Sequence, residues 1–359
     1  MKETFIIAEA GVNHNGDIKL AKRLVDIAVR SRANAVKFQT FITENVISTF
    51  ATKADYQVKM TGGDESQFEM VKKLELSFEH FRELKEYCDE NGIKFLSTPF
   101  DKESADFLID ELQLDTIKIP SGEITNAPLI YHIAQKQPNI ILSTGMATLG
   151  EIELALGIIA FGFLNKSEEP SLNAFSESFI SEEGQKVLRE KVKLLHCTTE
   201  YPAPVEEVNL LAIQTMHNTF GLETGYSDHT EGIAITIAAV AMGASIIEKH
   251  ITYDKYAEGP DHKASLSPEE LTLLVDGIRQ VELAKGTGVK IPSKSELKNI
   301  QIARKSIVAS RDIEEGELLT IHNIAIKRPG TGLPPLDYWK VLGESSKRKF
   351  KKDEGIILK

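Results

Sequence analysis

The sequence has few cysteines, no long apolar run and no excess of basic residues. Its 359 residues include only two cysteines, Cys88 and Cys197, so we expect no disulfide framework and a reducing, cytoplasmic setting. No apolar run approaches the roughly 18 residues that span a bilayer, and no signal-peptide pattern precedes the first strand-like run. The net charge of −11 argues against a nucleic-acid partner, although local lysines can still hold a small anion.

What the chain does have is eight apolar, strand-like runs that alternate with segments of helical periodicity. This alternation predicts a parallel sheet with helices outside it, and eight such units match an α/β fold of the (β/α)8 TIM-barrel type. A doubly wound open sheet is the alternative, but no GxGxxG motif follows the first run. The runs cover residues 5–10, 35–41, 94–100, 116–122, 139–145, 193–199, 221–229 and 245–252.

Three other segments break the repeat. The long connection over 42–76 is a candidate lid over the barrel mouth, and the polar stretch 165–189 is expected to be a surface excursion. After the barrel domain, 1–284, a Lys-, Gly- and Ser-containing stretch over 285–302 is expected to be a linker. Residues 303–359 then predict a small β-rich domain, whose core is marginal alone, so we expect it to dock on a barrel or a partner chain.

Polar residues stand at the end of each strand-like run, where a barrel directs them towards one site. His229 and His250 end the last two runs, which are neighbours in a closed barrel. Two imidazoles on adjacent strand ends can share a divalent ion, with water or substrate completing the coordination. His262, beside Asp261, is a candidate support for such a site, whereas His14 fits a polar turn and a ligand-facing role equally well.

Lysines and carboxylates complete the predicted site. Lys37 and Lys118 lie inside apolar runs, and two lysines favour a phosphate or carboxylate cradle over a Schiff-base amine, which needs only one. A structural Lys–Glu bridge is the other reading of these lysines. Glu9 and Glu123 follow their strands and suit proton transfer or positioning of a water. Polar residues on these and other strand-like runs extend the cradle: Gln39, Thr98, Ser121, Ser143 and Ser227.

Long motifs in this order resemble the sialic acid synthase family over nearly the whole chain. In the barrel they are IAEAGVNHNG at 7–16, AVKFQT at 35–40, STPF at 97–100, KIPSGE at 118–123, LSTGM at 142–146, GYSDHT at 225–230, EKH at 248–250 and GPDHKAS at 259–265. In the C-terminal part, SIVA at 306–309 and KRPG at 327–330 resemble the family's antifreeze-like, or SAF, domain.

The resemblance implies that phosphoenolpyruvate condenses with an N-acetylated hexosamine, typically N-acetylmannosamine, to give a nine-carbon 2-keto acid and phosphate. It implies Mn²⁺ or Mg²⁺ at His229 and His250, which suggests that activity falls as pH drops through about 6. It also implies a swapped homodimer, in which Arg328 of one chain reaches the sugar in the other chain's barrel. The residues implied to bind substrate are Gln39, Thr98, Ser121, Ser143, Tyr201, Ser227, Asp261 and Arg328, and those implied to be catalytic are Glu9, Glu123, Lys37 and Lys118.

Several alternatives stay open at the level of sequence. The resemblance extends to legionaminic acid synthases, which use a 2,4-diacetamido-2,4,6-trideoxymannose, and no residue in the sequence identifies the sugar. A Schiff-base aldolase built on Lys118 or Lys37 is a second alternative. A binding protein whose small domain recognises carbohydrate or an ice-like surface is a third, but it leaves the charged strand ends unexplained.

Overall fold

A computed structural model of the chain describes residues 3–53, 58, 65–165 and 167–358. These residues form two compact units, Met1–Gly286 and Thr287–Lys359, each with its own hydrophobic core. Within the described parts of the chain, every helix is too short or too polar to cross a bilayer.

The first unit is an eight-stranded parallel barrel, which confirms the predicted fold. Its strands lie in the order β3-β2-β1-β8-β7-β6-β5-β4, with β3 beside β4 where the sheet closes on itself. The strands are β1 (Phe5–Gly11), β2 (Ala35–Thr40), β3 (Lys94–Pro99), β4 (Thr116–Ile119), β5 (Asn139–Ser143), β6 (Val192–His196), β7 (Glu223–Asp228) and β8 (Ile246–His250). Each lies within one of the eight predicted runs or extends past it by a single residue.

Helices surround the barrel where the periodicity predicts them. Asp17 and Ser77 cap the first and fourth of these helices with their side chains. The helix predicted after β3 changes to a π-helical turn at Phe107–Glu111. The α-helices of this unit are Ile18–Arg30, Thr43–Val46, Gln67–Leu74, Phe78–Glu90, Lys102–Asp106, Ala127–Gln135, Leu149–Leu164, Leu172–Ile180, Glu182–Lys191, Leu211–Phe220, Ala234–Ala241 and Pro268–Lys285.

An apolar layer closes the inside of the barrel below the site. It consists of Ile7, Ala35, Leu96, Ile141, Leu195 and Ile246, all buried. Because side chains alternate along a strand, the residue two positions further on each strand also points inward, one layer higher. Those residues are Glu9, Lys37, Thr98, Ser143, Cys197 and Glu248. The inside of the barrel thus has a polar layer directly under the barrel mouth, with the apolar layer beneath it.

The stretch 165–189, expected to be a surface excursion, instead contains two helices, Leu172–Ile180 and Glu182–Lys191. Ser171 and Ser181 cap them, and Phe175 and Leu188 are buried where the helices pack on Leu149–Leu164. The apolar contacts are few and widely spaced, so the polar composition hid the helical pattern.

The second unit is small and β-rich, as predicted. β9 (Ser306–Ala309) pairs antiparallel with β10 (Ile324–Lys327), and the helices are Lys294–Ala303 and Tyr338–Val341. The first of these helices begins inside the stretch expected to be a linker and ends one residue beyond it. The core of the unit consists of Ile307, Ala309, Ile313, Leu319, Ile324, Val341, Phe350 and Ile356.

Candidate active site

A cavity of about 300 Å³ opens at the carboxyl ends of the barrel strands. It brings together every predicted site residue except Glu123 and Arg328. Its predicted lining residues are Glu9, Lys37, Gln39, Thr98, Lys118, Ser121, Ser143, Tyr201, Ser227, His229, His250 and Asp261. Three residues that were not predicted as site residues also line it: Cys197, Thr199 and Glu248.

Two buried carboxylates and two buried lysines form the floor of the cavity. The Nζ atom of Lys37 lies 2.7 Å from a carboxylate oxygen of Glu9 and 3.7 Å from one of Glu248. The Nζ atom of Lys118 lies 2.9 Å and 3.1 Å from the two oxygens of Glu248. The structural reading of these lysines thus holds in part, because each has a carboxylate partner. Glu248 joins both lysines into one cluster.

Hydroxyl groups extend the cluster towards the cavity. The Nζ atom of Lys37 donates to Thr98 Oγ1 at 3.0 Å, and Ser227 Oγ donates to Glu248 at 2.8 Å. Ser143 Oγ is buried and has no hydrogen-bond partner within the described residues. A buried hydroxyl without a partner is costly, so this atom is suited to a ligand oxygen or a water.

The two carboxylates differ in their affinity for protons. Burial raises the pKa of Glu9 to about 7, against the opposing charge of Lys37. Burial also acts to raise the pKa of Glu248, but Lys118 and Lys37 outweigh it and hold that pKa well below its usual range. Near neutral pH, Glu248 is therefore a fixed negative charge, whereas Glu9 can take up or release a proton.

The two strand-end histidines face each other, with ring centroids 5.7 Å apart. His229 Nδ1 lies 2.6 Å from the carbonyl oxygen of Thr198, so Nδ1 carries the hydrogen and Nε2 keeps its lone pair. His250 Nδ1 is buried and has no hydrogen-bond partner among the described residues. Burial lowers the pKa of His229 to about 4 and that of His250 well below its usual range. Both rings are therefore neutral near pH 7, as a metal ligand must be.

These observations fit a divalent ion held by two protein ligands. His250 Nδ1 has no hydrogen-bond partner among the described residues, and His229 Nε2, 3.4 Å from Ser227 Oγ, keeps its lone pair. Neutral imidazole is a common ligand of divalent metal ions. In the part of the chain that the structure describes, no three His, Cys, Asp or Glu side chains are placed to hold an ion together. Water or substrate would therefore complete the coordination.

Tyr201 and Asp261 form the upper wall beside the histidines. The Tyr201 ring stacks on His229 with centroids 4.2 Å apart and meets His250 edge-on. Burial raises the pKa of the Asp261 carboxyl to about 6. The wall thus offers an aromatic face and a carboxyl group whose protonation can change near neutral pH.

The loops after β4 and β5 meet at Ser121. Its hydroxyl accepts a hydrogen bond from the Gly145 amide and lies 3.0 Å from Cys197 Sγ. Gly145 cannot carry a side chain there, because a Cβ atom would lie 2.4 Å from Thr199 Oγ1 and 2.8 Å from Ser121 Oγ. The close approach holds Ser121 and Cys197 at the cavity wall.

Two predicted residues lie elsewhere. Glu123 belongs to a short 3₁₀ turn after β4, and its carboxylate accepts a hydrogen bond from Asn126 at 2.6 Å. Arg328 is exposed in the second unit and donates to the carbonyl of Ala303. His262, expected to support a metal site, has its Nδ1 2.7 Å from Thr252 Oγ1 and forms part of a buried loop.

Cys197 and Glu248 had a signal in the sequence. Each stands two residues beyond a member of the apolar layer, on the inward face of its strand. For Glu248, the inward position of His250 two residues later was enough to place it in the site. These two residues could have been found from the alternation of side chains along a strand whose other residues were already placed, but not from their residue type.

Family models match both units. The model of the NeuB family matches residues 24–290, and that of the SAF domain matches residues 304–357. The chain belongs to the NeuB family. It is therefore a phosphoenolpyruvate-using condensing enzyme of the nonulosonic acid synthase type.

Individual relatives within the NeuB family differ in their sugars. The chain is 52% identical over 356 residues to the N,N'-diacetyllegionaminic acid synthase of Campylobacter jejuni, with 99% of each chain covered. It is 34% identical to the human N-acetylneuraminate-9-phosphate synthase, with 98% of this chain and 91% of the human protein covered. Among solved structures, the N-acetylneuraminic acid synthetase of Leptospira borgpetersenii in complex with citrate has a TM-score of 0.67 and 34% identity, over 83% of this chain and 90% of that one.

Proposed function

We propose that this protein is an N,N'-diacetyllegionaminic acid synthase. It would condense phosphoenolpyruvate and water with 2,4-diacetamido-2,4,6-trideoxymannose, giving the nine-carbon 2-keto acid and phosphate. The observation that carries the proposal is the higher sequence identity of this chain to diacetyllegionaminic acid synthases than to relatives named for other products. The diacetyllegionaminic acid synthases of C. jejuni and Legionella pneumophila are 52% and 44% identical to this chain, against 34% for the human N-acetylneuraminate-9-phosphate synthase and 33% for a C. jejuni pseudaminic acid synthase.

The relatives thus favour legionaminate over the first expectation from sequence, which was N-acetylmannosamine as the sugar. The two sugars differ where apolar contact matters. The trideoxy sugar carries a methyl group at C6 in place of a hydroxymethyl group, and an acetamido group at C4 in place of a hydroxyl.

One wall of the cavity suits the more apolar of these sugars. It combines residues that follow β1, β2 and β3 with residues of the helix Gln67–Leu74, which lies in the connection expected to form a lid. Part of that connection, 54–57 and 59–64, lies outside the described residues. The wall consists of Val12, Phe41, Met70, Val71, Leu74 and Phe100. Each methyl group buried against such a surface contributes about 0.8 kcal/mol, which favours a deoxy, acetylated sugar.

Phosphoenolpyruvate would bind on the floor of the cavity. Its phosphate and carboxylate need cations and hydroxyl donors, which Lys37, Lys118, Thr98, Ser121 and Ser143 supply there. The ion pairs with Glu9 and Glu248 hold the two lysines in the cavity and keep the cluster close to neutral. The arriving anion would then compete with these carboxylates for the lysines.

The competition gives Glu9 a role. A nearby anion disfavours the ionised form of a carboxyl group, so phosphoenolpyruvate would raise the pKa of Glu9 further above its value of about 7. In the reaction, the enol carbon attacks the sugar aldehyde, water adds to the cationic carbon left behind, and phosphate leaves. With its pKa raised, Glu9 would be protonated when phosphoenolpyruvate is bound and would orient that water, whose proton would leave with the phosphate, whereas Glu123 does not line the cavity.

His229 and His250 would hold the divalent ion, and the chemistry that it supplies when bound is polarisation of the sugar aldehyde. Manganese is the ion we propose. Tyr201, stacked on His229, would keep the imidazole in place while the aldehyde binds.

The geometry disfavours the Schiff-base alternative. A Schiff-base lysine must lose its proton, and this requires a lowered pKa. The carboxylates Glu248 and Glu9 instead outweigh burial and raise the pKa of Lys37. Lys118 is held by both oxygens of Glu248.

The proposal is tested by measuring phosphate release with Mn²⁺, phosphoenolpyruvate and each of the two sugars. We expect kcat/KM at least tenfold higher for the 2,4-diacetamido trideoxy sugar than for N-acetylmannosamine. Equal or inverted values would overturn the legionaminate assignment and leave the family activity intact. Full activity after EDTA treatment would contradict a role for the metal in the reaction. Borohydride trapping of pyruvate on the chain would support the Schiff-base aldolase instead.

We also propose that the active form is a homodimer in which Arg328 of one chain contacts the sugar in the other chain's barrel. The support is that Arg328 is exposed and holds a charge in a SAF unit whose core is small. A unit of that size gains stability by docking on another surface.

A further inference from the structure

A buried ion pair lies behind the two histidines, on the opposite face of strands β7 and β8. Lys249 Nζ lies 2.9 Å from Asp228 Oδ2, and both side chains are at most 1% exposed. Asp228 and Lys249 are direct partners in the β7–β8 register. Because side chains alternate, His229 and His250 face the cavity, while the residue before each faces the helix layer.

Every charge in this pair is satisfied. Asp228 Oδ1 accepts hydrogen bonds from the Thr230 amide at 2.8 Å and from Tyr226 OH at 3.2 Å. Asp228 Oδ2 accepts from Thr236 Oγ1 and from Lys249, and Lys249 also donates to the Thr230 carbonyl. The network therefore forms hydrogen bonds with both the amide and the carbonyl of Thr230, the residue that follows His229.

A buried ion pair joins a sheet to a helix at a large cost in desolvation free energy. Taking two charges out of water costs several kcal/mol per ion, and apolar residues of similar size are often as stable or more stable. Beyond the threonines that bond to the pair, its neighbours include Ile247 and Tyr226 of the main core. Stability therefore gives no reason for the pair, whereas its position gives one: it joins the residues adjacent to both histidines.

We propose that Asp228 and Lys249 are positioning residues that hold His229 and His250 at the separation needed to share one divalent ion. The Thr230 amide, in the peptide unit that follows His229, is tied to the Asp228 carboxylate, and Lys249 ties β8 to the same carboxylate. On the cavity side, the Thr198 carbonyl orients the His229 ring, and the His229 carbonyl accepts from the Ala203 amide. The inference rests on the proposed two-histidine metal site.

The test uses a charge-neutral double variant, D228N/K249M, in the full-length enzyme. The Asn side-chain oxygen can still accept from Thr230, and no unpaired charge remains buried, so the fold should survive. Mn²⁺ binding is measured directly by electron paramagnetic resonance, with and without phosphoenolpyruvate. We expect Kd for Mn²⁺ to rise about 10- to 100-fold, the range found when groups that support metal ligands are lost.

Two further readouts separate positioning from folding. Activity of the double variant should recover as Mn²⁺ is raised, because the loss lies in metal affinity. The matched control is K193M/E223Q, which removes a more exposed ion pair between β6 and β7, 3.2 Å long, at the amino ends of the strands. It should leave Kd for Mn²⁺ unchanged.

The outcomes are distinct. If native enzyme binds Mn²⁺ and D228N/K249M binds it equally well, the positioning role is wrong and the metal site stands. If native enzyme and H250A bind Mn²⁺ equally, the metal site and this inference both fail. If the double variant does not fold, T236V is measured instead, since it removes only one hydrogen bond to Asp228. An unchanged Kd in folded T236V would then count against the proposal, and a raised Kd supports it.

Discussion

Glu248 neutralises two buried lysines at once, which makes it the pivot of the cavity floor. Its carboxylate contacts Lys118 with both oxygens and lies 3.7 Å from Lys37. Removing one partner of a buried ion pair leaves an uncompensated charge. Removing the Glu248 charge should therefore lower the stability of the ligand-free enzyme and strengthen its binding of an anion.

We predict that E248Q lowers the free energy of unfolding by about 3–5 kcal/mol in the absence of ligand. Phosphoenolpyruvate should restore much of that loss, because it supplies the negative charge that the lysines have lost. Thermal unfolding with and without phosphoenolpyruvate measures both effects, and E123Q, outside the cavity, should behave as the native enzyme does. An equal ligand-induced shift in E248Q and native enzyme would argue against lysines as the anion site.

Glu9 predicts a dependence of stability on pH. Its pKa is raised from 4.5 to about 7 in the folded chain, so the folded state binds the proton more tightly than the unfolded state does. The stabilisation from its protonated form is complete below about pH 4.5 and is lost as pH rises through about 7. E9Q mimics the protonated form and keeps that stabilisation.

The free energy of unfolding of E9Q relative to native enzyme should therefore increase between pH 5 and pH 8, by a few kcal/mol at most. Chemical denaturation at a series of pH values measures it. A difference between the two proteins that stays constant with pH would show that Glu9 titrates normally. Burial lowers the pKa of His229, whereas it raises that of Glu9. Because the pKa of His229 is about 4, its protonation should not limit metal binding near pH 6, although the sequence alone suggested a loss of activity there.

At the scale of elements, strand β7 fits the barrel only because Gly225 leaves room. A Cβ atom there would lie 2.3 Å from the Ile246 carbonyl oxygen and 2.7 Å from Leu195 Cδ2. These neighbours belong to the apolar layer that closes the barrel. Strand β7 thus contributes backbone to that layer where its neighbours contribute side chains.

We predict that G225A destabilises the barrel by about 1–3 kcal/mol, because the strands must separate to admit the methyl group. G122A is the matched control, since a Cβ atom at Gly122 meets nothing within 4 Å. Urea unfolding curves of the two variants compare them directly. Equal midpoints would mean that the sheet accommodates the methyl group without cost.

At the scale of the whole molecule, the swapped-dimer proposal makes a prediction about mixed dimers. R328A and H250A should each be nearly inactive as homodimers. A heterodimer would contain one intact site, formed by the barrel of the R328A chain and the SAF unit of the H250A chain. Equimolar co-refolding should therefore restore about a quarter of native activity, because half of the dimers are mixed and half of their sites are intact.

Phosphate release after co-refolding measures the recovery, with the two proteins refolded separately and then mixed as the control. If Arg328 acted on its own barrel, every site in the mixture would lack either Arg328 or His250. Activity would then stay at the level of the homodimers.

The sequence by itself determined the barrel. Eight apolar runs alternating with helical segments admit few arrangements, because parallel strands need helical crossovers and bury both faces. The same runs placed Lys37, Lys118, His229 and His250 at strand ends, and the barrel brought them into one cavity. These predictions succeeded because they depend on local periodicity and on a geometry common to all such barrels.

Only the tertiary structure decided which charges meet. That Glu248 holds both lysines, that Glu123 lies outside the cavity and that Asp228 and Lys249 pair behind the histidines depend on strand register and on loop paths. The two helices within 165–189 likewise became visible only through what they pack against. Distances of a few ångströms between residues far apart in sequence set these contacts, and no local pattern encodes them.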